Sequence, residues 1–299
     1  QANVWSEYIP TSEHAEYMTM PRMAAMAEVL WSAKEGRSWA GFAPRVELEM
    51  KRYSEFGYNY ANSAYLVNIM TTLDTVTKGI AVALRSELDS AGVRYTLDGS
   101  TPTTASMQYA HPFAVASTST IRAGDFRNGE LMDSISARTI IVHKAVGKRV
   151  ELKYPYEEYN GGGAYALTNG VLGSASYNDG NWQGFHQNDL EATIDLGKSM
   201  PLTKISTRYM ENTPDWIFLP TSVEYFTSED GKNFVSAGSF AIPVPAEQQP
   251  VNIKEYPQTL QNISARYIRV VAKNIGIVPQ WHIGRGDKAW LFIDEIVVE

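Results

Sequence analysis

The sequence predicts a mainly β protein that carries a helical segment at its N terminus. Two patterns support this. Apolar residues at helical spacing are confined to the first part of the chain, and from about Leu66 short alternating runs separated by turn residues take over. A third observation agrees: aromatic residues make up 11% of the chain, with 17 Tyr and 7 Trp, a content that suits pleated, half-buried surfaces.

The opening stretch "QANVWSEYI" reads as a strand. Side chains at i and i+2 share a strand face, so Trp5 and Glu7 project together with Asn3 below them. An indole beside a carboxylate suits a sugar: the ring covers the apolar face of a pyranose while the carboxylate accepts hydrogen bonds from its hydroxyls. A packed Trp beside a solvated Glu is the plainer alternative, and the three residues alone leave both open.

Two helices follow. In "YMTMPRMAAMAEVLWS", Met23, Met26, Ala27, Leu30 and Trp31 fall at i, i+3, i+4, i+7 and i+8, with Pro21 near the start; the Met-rich stripe is expected to pack in a core. In "SWAGFAPRVELEMKRYSEFGYNY", Phe42, Val46, Met50 and Tyr53 keep helical spacing, Ser38 caps the first turn and Gly57 suits the position just past the end.

The β region divides in two. "RYTLDGSTPT" offers an Asp98-Gly99 turn and "FAVASTSTIRA" supplies two alternating pieces, a small sandwich ending near Lys144. "EEYNGGGAY" places Gly161, Gly162 and Gly163 in a flexible stretch near a boundary; with no helix expected after them, a phosphate-cradling loop fails. From Tyr165 onward, turn signals in "YNDGNW", "SEDGKN" and "IGRGDKA" lead to the apolar strand "AWLFIDEIVVE", the pattern of an antiparallel jelly roll. The expected units are residues 1–64, 65–148 and 149–299.

At 299 residues the chain exceeds what one core normally holds. A net charge of −7 argues against a nucleic-acid partner, and the absence of Cys removes thiolate chemistry, disulfides and Cys-based zinc sites. No apolar run approaches the roughly 18 residues of a membrane-spanning helix. Behind Gln1 no targeting signal is read, and the chain reads as cut from something longer.

Hydrolysis of a sugar bond normally requires two converging carboxyl groups. Asp294 and Glu295 are neighbours, so on a strand they face opposite sides; Glu157 and Glu158 have the same defect. Both pairs read as structural or solvated, with Asp294 or Glu295 a candidate support for a hard cation. His14, His111, His143, His186 and His282 show no zinc-ligand spacing, no GxSxG elbow occurs, and the "RGD" at Arg285 to Asp287 is given no function. Among loop aromatics, Trp182, Phe185, His186, Trp216, Trp281 and His282 lie beside Asn, Gln, Asp and Arg, the mix expected at a sugar-binding rim. Trp182 and Trp290 are assigned to the core; Trp216, Trp281 and His282 remain the glycan-contact candidates.

Taken in order, these stretches form a resemblance. "QANVWSEYI" with "MPRMAAMAEVLWS" resembles the last barrel strand and helix of glycoside hydrolase family 20, the β-N-acetylhexosaminidases, and "FAPRVELEMKRYSEFGYNY" the helices that end their (β/α)8 barrel. "YTLDGSTPT" with "TIRAGDF" resembles the chitobiase-type C-terminal β-domain. "ALTNGVLGSASYNDGNWQGF", "DLEATIDLGK" and "AWLFIDEIVVE" resemble a discoidin-type (coagulation-factor C-type) domain, related to carbohydrate-binding module family 32.

The resemblance implies a barrel remnant, a small β-sandwich and a discoidin-like jelly roll. It implies that Trp5 and Glu7 line the pocket for a terminal N-acetylhexosamine. Family members work by substrate assistance, with an Asp orienting the 2-acetamido group and an adjacent Glu as acid and base. That pair lies on an earlier strand with no counterpart here, so this chain is expected to be inert alone. A barrel strand without neighbours also predicts that residues 1 to about 12 are disordered, rearranged or paired with another chain.

For the third unit, the resemblance implies a structural calcium near Asn169 and Glu295, with Asn169 standing where an Asp is common; no other cofactor is expected. The implied partners are glycans ending in N-acetylhexosamine, and the implied location is periplasmic, outer-membrane-associated or extracellular in a bacterium. A carbohydrate-binding or adhesion module, or β-domains that only support the barrel, are the alternatives.

Overall fold

In the computed structural model, which describes residues 3–74 and 79–299, the N-terminal run is not a strand. Ser6–Tyr8 forms a single 3-10 turn. A strand must hand its backbone N–H and C=O groups to neighbours, and no strand among the described residues lies beside this segment, so the backbone closes on itself instead.

A short helix that the periodicity did not reveal comes next, α1 (Ser12–Thr19), started by the Thr11 side chain accepting from the His14 amide at 3.1 Å. It is followed by α2 (Arg22–Trp31) and α3 (Trp39–Glu55). The signals for α3 act as read: Ser38 Oγ accepts from the Gly41 amide, and Gly57 takes φ +74° just past the C-cap. Val46 and Met50 of α3 bury against Tyr65 and Leu88.

The stripe of α2 is not core. Met23 is 57% exposed, Leu30 67% and Trp31 89%, while Ala24 packs toward α3. The sequence expectation fails because helical periodicity reports an apolar face, not whether anything in the same chain covers it.

Among the described residues the middle unit is a sandwich of eight short strands. β1 (Asn68–Asp74), β2 (Gly79–Arg85) and, further along, β5 (Phe113–Val115) form one sheet in the order β1-β2-β5. The other holds β3 (Val93–Thr96), β4 (Met107–Gln108), β6 (Ser119–Arg127) and β7 (Glu130–Leu131) in the order β4-β3-β6-β7, with β8 (Ser136–Ile140) paired to β6. Alternation puts Ile69, Ile80, Val82 and Leu84 of the first sheet against Val93, Ile121, Ala123 and Ile140 of the second. Asp98-Gly99 turns as expected, Gly99 at φ +80° and the Asp98 carboxylate accepting from the Ser100 amide.

The third unit is one antiparallel sheet bent over its own core. It contains β9 (Val150–Leu152), β10 (Gln183–His186), β11 (Leu190–Glu211), β12 (Ser222–Ser228), β13 (Val235–Ala241), β14 (Asn252–Lys273) and β15 (Trp290–Val298). The order is β10-β15-β11-β14-β12-β13, with β9 on β11. β11 and β14 pair along nearly their whole length but slip register between Asp195 and Met200 and between Leu202 and Lys204. Both ribbons turn there, so Ala192 and Ile194 before the slip share a core with Ile205 and Tyr209 after it. Gly161, Gly162 and Gly163 all have positive φ, and a 3-10 helix, Gly163–Thr168, does follow them. No helix among the described residues is long and apolar enough to cross a membrane.

Candidate functional site

His186, the last residue of β10, sits directly opposite Trp290, the first of β15. Cross-strand neighbours lie close enough for rings to touch, and the imidazole stacks flat on the indole with centroids 4.4 Å apart and planes 14° from parallel. Tyr159 meets the same indole edge-on at 5.4 Å.

A second aromatic is bound to this pair through the backbone. After the 3-10 turn Thr213–Asp215 the chain reverses at Trp216, a non-glycine residue at φ +60°. Its carbonyl accepts from the Trp290 amide at 2.9 Å, and the Trp290 carbonyl accepts from Phe218 at 3.0 Å. The Trp216 indole N–H donates to Asp287 Oδ2 at 3.3 Å. A left-handed backbone on a bulky residue is strained, and here one backbone hydrogen bond from Trp290 to Trp216, a second from the nearby Phe218 to Trp290, and a side-chain bond to Asp287 hold it.

These residues line a groove of about 520 Å³ whose walls are His186, Asp215, Trp216, Asp287, Lys288 and Trp290. Flat rings beside two carboxylates and an ammonium are what a sugar requires: a surface for the apolar ring face and strong acceptors and donors for hydroxyls.

Of the three expected glycan contacts, only Trp216 lines this groove. His282 is 4% exposed; its Nδ1 accepts from the Gly284 amide at 2.9 Å, which leaves Nε2 to donate to the Thr213 carbonyl at 2.7 Å. It is a brace between two loops, not a ligand contact. Trp281 spends its indole N–H on the Pro245 carbonyl at 2.8 Å and packs on Phe218. Trp182 and Phe185 are core. Trp290, assigned to the core from its strand, is instead partly exposed at the sheet end, and Asp215, Asp287 and Lys288 were not singled out. The only signal for Asp287 was its place in the RGD loop that was given no function.

Asp294 and Glu295 are both fully buried, and they are structural rather than solvated. Asp294 lies 2.8 Å from Arg208 and accepts from the Gly173 amide; burial pushes its carboxyl up to about 7 against the pull of Arg208. Glu295 receives His143 Nε2 at 2.8 Å on one oxygen and the Gly170 amide at 3.1 Å on the other; burial raises it and the loop amides oppose the rise. Burial also lowers His143 to about 4.

These residues do not fit a calcium ion. The cation asks for about six to eight oxygen ligands, whereas the loop turns N–H donors toward Glu295 and Asn169 Oδ1 accepts from the Val171 amide at 2.7 Å. Among the described residues no group of three or more His, Cys, Asp or Glu is placed to hold a metal.

Trp5 precedes the N-terminal turn and Glu7 lies within it, so the two do not share a strand face, and Trp5 is 75% exposed.

Three family models match successive parts of the chain: the glycosyl hydrolase family 20 catalytic domain over residues 1–34, the chitobiase/beta-hexosaminidase C-terminal domain over 72–137, and the F5/8 type C domain over 153–291. A beta-hexosaminidase of Porphyromonas gingivalis is 30% identical over 149 residues, 48% of this chain and 18% of that protein. A beta-N-acetylhexosaminidase of Cellulomonas fimi is 33% identical over 60 residues, 20% of this chain and 12% of that protein. The chain thus matches less than a fifth of the length of either relative. Among solved structures, CpGH89CBM32-6 of Clostridium perfringens is 15% identical, covering 53% of this chain and 98% of that one at a TM-score of 0.32. The C-terminal domain of a chitobiase from Bacteroides fragilis is 20% identical, covering 50% of this chain and 93% of that one at a TM-score of 0.29.

Proposed function

We propose that this chain is the C-terminal, non-catalytic portion of an exo-acting β-N-acetylhexosaminidase that removes terminal N-acetylhexosamine from glycans, and that its jelly roll holds sugar in the groove between Trp216 and Trp290. The observation that carries the reading is the order of the three family matches along one chain. The exposed face of α2 supports it: Met23, Leu30 and Trp31 form an apolar surface of the kind that the rest of a barrel covers.

In this reading Trp5 and Glu7 take up a strand only when neighbouring barrel strands pair with them, and there they line the sugar pocket. The acid–base pair lies on an earlier strand. Within this chain Asp294 and Glu295 are buried and hydrogen-bonded, and neither reaches the groove. The parent protein is placed in the periplasm, on the outer membrane or outside a bacterial cell.

Release of a chromophore from an aryl N-acetyl-β-glucosaminide tests the reading. A chain extended upstream through a whole barrel turns the substrate over and this chain alone does not; turnover by this chain alone contradicts the proposal, and silence from both removes the hydrolase reading and leaves binding or support.

A further inference from the structure

A second groove, of about 880 Å³, opens where the sandwich meets the jelly roll, between β1, the end of β2, β8 and the Asn181 loop. Among the described residues β1 is the outer strand of its sheet, and the part of β8 before its Ile140 bridge to Val171 pairs only with β6, so both present free edges here. Arg85 enters from β2, opposite Asn68, and Arg138 from β8, opposite Ile121.

Neither arginine makes a hydrogen bond or ion pair among the described residues. Several other guanidinium groups are committed to carboxylates: Arg127 to Asp125, Arg208 to Asp294, Arg266 to Asp195, Arg45 to Glu28. In a chain with 33 acidic and 26 basic residues, these two arginines share one groove whose lining among the described residues holds no carboxylate. The nearby Asp179 has both oxygens turned to the amides of Asn181 and Ser174. Two guanidinium groups on the wall of one groove are free to take an anion, and a planar fork is suited to a bidentate one.

The remaining walls are not those of a bare anion site. Asn68, Thr71, Ser136 and Asn181 offer amides and hydroxyls, and Met70, 49% exposed, offers an apolar surface. The groove shares Thr71 and Asn181 with a cleft running on toward Tyr165 and the Gly161-Gly162 turn, so a ligand longer than one ring has room. We infer that this inter-domain groove binds a saccharide carrying a sulfate ester or a carboxylate, the anion held by Arg85 and Arg138 and the ring hydroxyls by Asn68 and Asn181. The site stands independently of the Trp216–Trp290 groove.

Calorimetric titration with N-acetylglucosamine 6-sulfate and with a glucuronate-containing disaccharide tests it, with neutral chitobiose and inorganic sulfate as comparisons. The anionic saccharides bind, more weakly as salt rises. Arg85→Gln with Arg138→Gln weakens them by about tenfold or more, the loss expected for a bidentate charged contact. Arg149→Gln, an exposed arginine outside the groove, leaves them unchanged. Binding of chitobiose that falls equally in the double arginine variant, equal binding of free sulfate, an equal loss in Arg149→Gln, or no binding at all overturns the assignment. A loss confined to Trp290→Ala moves the ligand to the other groove and leaves that reading standing.

Discussion

His143, in the segment that leaves the sandwich, is hydrogen-bonded through Nε2 to Glu295 on the last strand of the jelly roll, at 2.8 Å and with both side chains fully buried. The same carboxylate holds the Gly170 amide, so one side chain ties the connecting segment, the 169–171 loop and β15 together. Glu295→Ala leaves two buried donors without partners at about 1–3 kcal/mol each, and the midpoint of thermal unfolding falls accordingly, while Glu295→Gln recovers part of the loss. Equal midpoints for Ala and wild type contradict this.

Burial holds His143 near 4, below its ordinary 6.5, so the unfolded chain binds a proton in that window that the folded chain refuses. Its contribution is intact above about 6.5 and is lost as pH falls through about 4, a cost of roughly 3 kcal/mol when complete. Asp294, raised from 3.8 to about 7, acts in the opposite sense: its contribution is full below its ordinary value and fades as pH rises toward neutrality. His143→Gln therefore flattens the acid side of a urea-unfolding profile between pH 4 and 6.5, and an unchanged slope contradicts the assignment.

Gly284 lies against Trp216 so closely that a Cβ there stands 1.9 Å from the indole nitrogen. Gly284→Ala must displace the indole, which breaks its bond to Asp287 and removes one wall of the groove. Overpacking of this kind costs about 1–3 kcal/mol. The expected result is a shift in tryptophan emission and a several-fold loss of sugar affinity; retention of both contradicts the placement of Trp216.

The face of α2 predicts how the chain behaves alone. With Met23, Leu30 and Trp31 exposed together, this chain binds a hydrophobic dye and self-associates as concentration rises. Leu30→Lys with Trp31→Lys abolishes both without lowering the unfolding midpoint, because neither side chain is in the core. A fall in stability on that substitution contradicts the description of α2.

How far the sequence foretold these features varies by element. α3 was legible because its cap, its periodicity and its terminal glycine agree, and the β regions were legible from alternation and turns. α1 was not: it is only eight residues, buries none of them, and has a Thr cap as its main signal. The opening stretch has a strand pattern, but pattern cannot supply strand partners, and the turn at Ser6–Tyr8 is the rearrangement expected of a barrel strand without neighbours. Trp290 was hidden in an otherwise buried strand whose first residue emerges at the sheet end, and His282 was taken for a rim residue because its Gly-rich surroundings look like open loop. The stacking of His186 on Trp290 needed the strand register, which separates residues far apart in sequence from residues in contact.

The central claim is that this chain binds sugar at the Trp216–Trp290 groove and cleaves none. Titration of the chain and of Trp290→Ala with chitobiose, followed by chromatography of the same samples, tests it in one experiment. The account predicts a binding heat that disappears in Trp290→Ala and disaccharide recovered whole from both. Free N-acetylglucosamine in the wild-type sample, or binding that survives the loss of Trp290, contradicts it.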